Sequence, residues 1–172
     1  INTVKQIEKI DSALRRFDKD YKAFPGDIAN APQRLPGCDA TCRPDSGIKG
    51  NRIVDSSPED RQRPGMESVL FWRHLGYAGS LDFVNKNSDD PDRISAGDGV
   101  PRAKIGGAFV VGFHKAKQEL AHIIARTAPR GHYLTISADP DKPLGANDNW
   151  PLNAQEMRAM DSKLDDGKPN NG

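Results

Sequence analysis

The sequence predicts an α+β domain: a long N-terminal amphipathic helix packed on a small antiparallel β-sheet, with a second short helix, extended loops and a short C-terminal helix. Three observations carry this reading. Apolar residues recur every third or fourth position from Ile1 to Tyr21. Two β-prone runs, Ala108–Phe113 and Gly131–Ser137, stand in the second half of the chain. And 16 Gly and 13 Pro among 172 residues commit much of the rest to turns and loops. A chain of this length forms one domain with a real core.

The first helix rests on Ile1, Val4, Ile7, Ile10, Leu14, Phe17 and Tyr21, an apolar stripe backed by Lys5, Glu8, Lys9, Asp11, Arg15, Arg16, Asp18 and Lys19. At roughly 1.5 Å per residue it is a rod about 30 Å long. It stops before Phe24-Pro25-Gly26-Asp27, because a proline disfavours a helical residue before it. Residues 1–22 thus form the helix, 23–64 a loop region, and 65–172 the remaining helices and the sheet.

The loop region holds the two cysteines, Cys38 and Cys42. Three intervening residues bring the α-carbons close enough for a disulfide if the loop turns like a helix. A bridge is the expected state, and a pair of free thiols is the other reading. A helical turn is expected near Ser57-Pro58-Glu59, where Ser caps and Pro takes the first helical position.

Met66 to Leu75 reads as a short buried helix: Val69, Trp72 and Leu75 form a stripe widened by Leu70 and Phe71, and Gly76 is the expected stop. Leu81–Val84 reads as a brief extended piece. In 131–137, Tyr133 and Thr135 alternate with Leu134 and Ile136, as a half-buried strand requires. Leu120, Ile123 and Ile124 have helical spacing within 115–126. The last helix, 151–167, starts with a capping box at Asn153 and Glu156, presents Met157, Met160 and Leu164, and ends at Gly167.

Net charge is +1 and aromatics are 6%, which offers neither a field nor a stacking surface for nucleic acid. Mean hydropathy is −0.72, and no run approaches the ~18 apolar residues that span a bilayer. His74, His114, His122 and His132 lack metalloprotease spacing, and no nucleophile elbow or phosphate-binding glycine loop is present. The acidic groups Asp89-Asp90-Pro91-Asp92, Asp139-Pro140-Asp141, Asn147-Asp148-Asn149 and Asp165-Asp166 offer oxygen ligands to Ca2+ without matching the twelve-residue calcium loop. Asp and Asn that form solvated turns are the plainer account.

Four pieces, in order, resemble one family, the type IV pilin-like proteins, which include type II secretion pseudopilins. The first is the helix that runs into Phe17-Asp18-Lys19-Asp20-Tyr21-Lys22-Ala23-Phe24-Pro25-Gly26-Asp27, similar to the lower pilin stem and the Tyr-x-x-x-Pro-Gly-Asp turn that follows it. The second is Glu67…Trp72-Arg73-His74-Leu75…Ala78-Gly79. The third is Pro101-Arg102-Ala103-Lys104-Ile105-Gly106-Gly107. The fourth is Lys163-Leu164-Asp165-Asp166-Gly167-Lys168-Pro169.

The resemblance implies a filament subunit of a pilus or a secretion pseudopilus, not an enzyme. It implies a leader and an apolar helix preceding Ile1, an inner-membrane anchor with a periplasmic domain, and later polymerisation with other pilin or pseudopilin subunits. Ile1, Val4 and Ile7 would then face those subunits, while Leu14, Phe17 and Tyr21 pack on the domain itself. Some members hold Ca2+ near their C-terminal loops, which makes Asp165 and Asp166 the metal candidates. An extracytoplasmic binding or adhesion module, such as a tip or minor pilin, is the alternative function, and a small hydrolase is the remaining one.

Overall fold

The structure is a computed structural model, and it describes residues 2–45, 47–57, 60–85, 93–115 and 129–142. It is α+β. An N-terminal helix α1 (Asn2–Tyr21) is followed by one short turn of helix α2 (Ala31–Arg34), a 3-10 turn at Ala40–Cys42, and helix α3 (Glu67–Tyr77). The two-residue strands β1 (Ser95–Ala96) and β2 (Gly99–Val100) lead into β3 (Ala108–His114) and β4 (Gly131–Ser137). β3 and β4 pair antiparallel from Ala108 opposite Ser137 to His114 opposite Gly131.

The core is built where α3 meets β2 and β3 and α1 closes over it. Phe17, Trp72, Leu75 and Phe109 are fully buried there. β3 is buried along nearly its whole length, while most of β4 is half-buried. That asymmetry explains why 108–113 reads as a continuous apolar run and 131–137 as an alternating one. Both strands lie where the sequence puts them, β3 one residue longer.

Two expectations need correction. The inward line of α1 is Thr3, Gln6, Ile10, Ala13 and Phe17, not the full apolar stripe. Val4, Leu14 and Tyr21 are half-buried on its flank and Ile7 is 37% exposed. The cause is Gln6, whose amide donates to the Arg102 carbonyl (3.0 Å) and accepts from the Lys104 N–H (2.8 Å). The helix turns this polar residue inward to pair backbone groups of the loop before β3.

The second correction concerns α3, which runs through Gly76 and ends at Tyr77. Gly79 N–H donates to Gly76 O and Ser80 N–H to Leu75 O, closing the helix at 2.9–3.0 Å. A glycine inside a helix costs only about 1 kcal/mol, less than the burial of Leu75 beside it returns. α1 likewise ends before Pro25 exerts any effect: Lys22, at φ 49, turns left-handed and donates its N–H to Asp18 O.

Leu81–Val84, expected as a brief extended piece, bends at Asp82 and Phe83, and Leu81 and Val84 are buried. The helical turn at Ser57-Pro58-Glu59, the 115–126 segment and the C-terminal helix lie wholly or mostly outside the described residues, as does Ile1. No helix among the described residues is long and apolar enough to cross a membrane.

Candidate functional site

The chemistry-bearing groups gather where the turn after α1 meets the start of α3. Asp27 follows Pro25-Gly26, and its carboxylate accepts the backbone N–H groups of Gly50 and Arg52. Glu67 is the first residue of α3; its Oε2 accepts the Asp55 N–H at 2.5 Å. Asp55 Oδ2 accepts the Ile48 N–H at 2.6 Å. Three carboxylates thus hold the backbone of the 47–55 loop from inside, in place of any regular secondary structure.

The chain must come very close to itself here. Gly26 has φ 88, and a β-carbon on it would lie 2.2 Å from the Glu67 carbonyl oxygen. Only glycine fits both the left-handed turn and that approach. The Gly26 N–H donates to His74 Nδ1 at 2.9 Å, and His74 Nε2 donates to the Cys42 carbonyl at 2.9 Å. His74 is therefore the neutral Nε2–H tautomer, tying the turn, α3 and the cysteine loop together. Its burial pushes its pKa down to about 4, only partly opposed by the bond to Cys42.

The carboxylates move the other way. Burial raises Glu67 to about 7, offset in part by the Asp55 N–H and reinforced by the charges of Asp27 and Asp55. Asp27 is raised chiefly by burial, against the two N–H groups that hold its anion. Glu67 is 3% exposed, and its Oε1 has no hydrogen-bond partner among the described residues.

The predicted site residues stand apart from this cluster or at its edge. Cys38 and Cys42 form the expected disulfide, with α-carbons 6.0 Å apart across the 3-10 turn. Asp39 caps that turn through Thr41, whose hydroxyl and N–H hold its carboxyl below the usual range. Val4 and Ile7 sit on the N-terminal half of α1, Ile7 beside an apolar groove walled by Leu14, Phe24, Phe71 and Leu134. Asp165 and Asp166 lie outside the described residues. Of the other acidic groups, Asp141 pairs with Arg61 and Arg93, and Asp139 with Lys142. No group of three or more metal-ligating side chains is gathered at one point among the described residues.

Among the other histidines, His132 is an exposed residue of β4 that stacks on Phe24 and accepts the Val54 N–H at 3.2 Å, a structural role. His114 is buried at the end of β3 without a hydrogen-bond partner among the described residues. Sequence reasoning missed the carboxylate cluster because its members are 12 to 40 positions apart. Asp27 and Glu67 carried motif positions, yet nothing in their spacing reveals that one loop joins them. No protein-family model, curated protein or solved structure matches the chain.

Proposed function

We propose that this chain is the globular part of a filament subunit, of the type IV pilin-like kind, that polymerises through its N-terminal helix. The observation that carries the proposal is the junction of α1 and α3. The two best-formed pieces of the resemblance, the Pro25-Gly26-Asp27 turn and the Glu67…His74 helix, meet there. Gly26 packs on the Glu67 carbonyl and bonds to His74. Residues 12 to 48 positions apart then serve one local purpose: they fix the angle at which the N-terminal helix leaves the domain. A subunit whose work is mechanical needs that angle held stiffly, since polymerisation transmits load along the helix.

Exposure along α1 agrees with this role. Ile10 and Phe17 are buried toward the domain, while Ile7, one turn nearer the start, is 37% exposed. In a filament, neighbouring helices would cover that face.

The reading is tested first on the gene. Codons upstream of Ile1 should encode an apolar stretch of about 20 residues, and their absence would sink it. The full-length protein carrying Ile7→Asp should then fail to enter filaments, while the isolated domain melts within a few degrees of the unmodified one. Normal incorporation of the variant would remove Ile7 from the assembly face.

A further inference from the structure

Two large apolar side chains are exposed among the described residues, and their settings differ. Ile48 is 72% exposed in the loop that the three carboxylates hold. Ile7 lines an apolar groove of about 190 Å³ with Leu14, Phe24, Phe71 and Leu134. One is a protrusion, and the other borders a hollow with room for a branched aliphatic side chain.

A single exposed apolar residue is ordinary on a protein surface. Ile48, however, stands on a braced loop. Asp55 Oδ2 accepts the Ile48 N–H at 2.6 Å, and Asp27 accepts the N–H groups of Gly50 and Arg52. A side chain on so fixed a backbone gives up little freedom when it docks. Nor does Ile48 fill its own chain's groove, as its exposure shows. The Arg52–Asp18 pair, at 2.6 Å, holds the loop at the C-terminal end of α1, although Val54 at its root reaches His132 on the groove wall. The helix residues of the groove, Ile7 to Leu14, lie toward the other end, with Asp11 about 11 Å along the axis from Asp18.

We propose that Ile48 of one copy of this chain seats in the groove between α1 and β4 of a second copy. The contact joins two different patches of the same molecule, so each copy keeps a free loop and a free groove for the next one. Because the patches lie at different levels of α1, copies add along the helix direction. Charge favours this occupant. Lys49 follows Ile48, while Asp11 is the one carboxylate among the described residues that line the groove, and no Lys or Arg joins it there. Asp11 already takes Arg15 at 2.8 Å on one oxygen, and a lysine brought to the same rim adds attraction. As a step in filament growth the contact rests on the filament reading, and it adds to the neighbouring helices the loop that covers the face bearing Ile7.

One anchor of this size makes a weak contact, with Kd on the order of 1 mM. The test is sedimentation equilibrium of the 172-residue chain. Between about 20 µM and about 1 mM its weight-average mass should about double. Ile48→Asp and Ile7→Asp should each stay monomeric. Their equimolar mixture should gain mass again, by less than twofold, because the intact groove of one takes the intact loop of the other and the pair can grow no further. Both positions are exposed, so both variants should melt within a few degrees of the unmodified chain, and Ile7→Ser serves if Ile7→Asp does not. An unmodified chain that stays monomeric overturns the proposal and leaves the groove to another protein or to the 143–172 segment of the same chain. A variant that associates like the unmodified chain, or a mixture that stays monomeric, overturns it as well. None of these results touches the filament reading, which fails instead if no apolar stretch is encoded before Ile1.

Discussion

His74 does the most structural work of any single side chain outside the apolar core. It is completely buried, and both ring nitrogens are used, one toward Gly26 N–H and the other toward Cys42 O. Replacing it by Ala strands a buried N–H and a buried C=O and leaves a cavity, which should cost about 3–5 kcal/mol. Its titration gives a second check. The imidazole has a folded pKa of about 4 against 6.5 in the open chain. The unfolded state therefore binds the proton first. The stability owed to a neutral His74 is present in full above about pH 6.5 and is lost as pH falls toward about 4, a change of about 3 kcal/mol. Glu67, raised to about 7, works in the opposite sense over nearly the same window. The unmodified protein alone would mask the effect. The comparison to make is with His74→Gln: denaturant unfolding should show a stability gap between the two proteins that is wide at pH 7.5 and narrows by pH 4.5. A gap independent of pH would mean that His74 does not carry a shifted proton.

At the scale of elements, what was legible in the sequence depended on whether a signal was local. β3, β4 and most of α1 and α3 are written in short-range periodicity, and they lie where that periodicity puts them. The disulfide was also the expected reading: the spacing allowed it, and no flanking metal-ligand cluster competed for the two cysteines. The rotation of α1 did not, because the choice of Gln6 over Ile7 is made by the backbone of Arg102 and Lys104, nearly a hundred residues away. The 23–64 region was recognisable as loop, but its order comes from carboxylates that grip its N–H groups, a long-range arrangement that no local pattern announces. The cysteine loop is a separable part of this region. Cys42 is buried beneath α3, and Arg73 bonds to Thr41 from above. Closing so short a loop is worth about 2 kcal/mol through the unfolded state. Changing both cysteines to Ser should lower Tm by several degrees and speed amide exchange at 39–43, while leaving the transition cooperative and β3–β4 exchange unchanged. Loss of cooperative unfolding would show that the bridge holds the domain together rather than shaping one loop.

For the whole molecule, the ties that matter cross long stretches of chain. Gln6 reaches Arg102 and Lys104, Phe113 N–H donates to Ser56 O at 2.8 Å, and Gln62 N–H to Pro140 O at 2.9 Å. The ion pairs contribute little by comparison, since most join exposed side chains. A two-stranded sheet is marginal by itself. β3 and β4 therefore depend on what covers them, and α1 supplies one wall of that cover. Its Phe17 is fully buried, Ile10 and Ala13 nearly so, and all three belong to the same core as Trp72 and Phe109. α1 is thus an integral part of the domain, even though its first turns carry the exposed Ile7. The two halves of the helix should respond oppositely to substitution. Phe17→Ala should cost about 3–5 kcal/mol, whereas Ile7→Ala should cost well under 1 kcal/mol, as exposed sites do. Removing residues 1–22 should go further: it takes Phe17, Ile10 and Ala13 from the core and frees the backbone groups that Gln6 pairs. The remainder should bind a hydrophobic dye and lose its cooperative melting transition. A truncated chain that still unfolds in one sharp step would show that the helix is an appendage laid against a self-sufficient domain, and the argument that its angle is fixed by the core would fall with it.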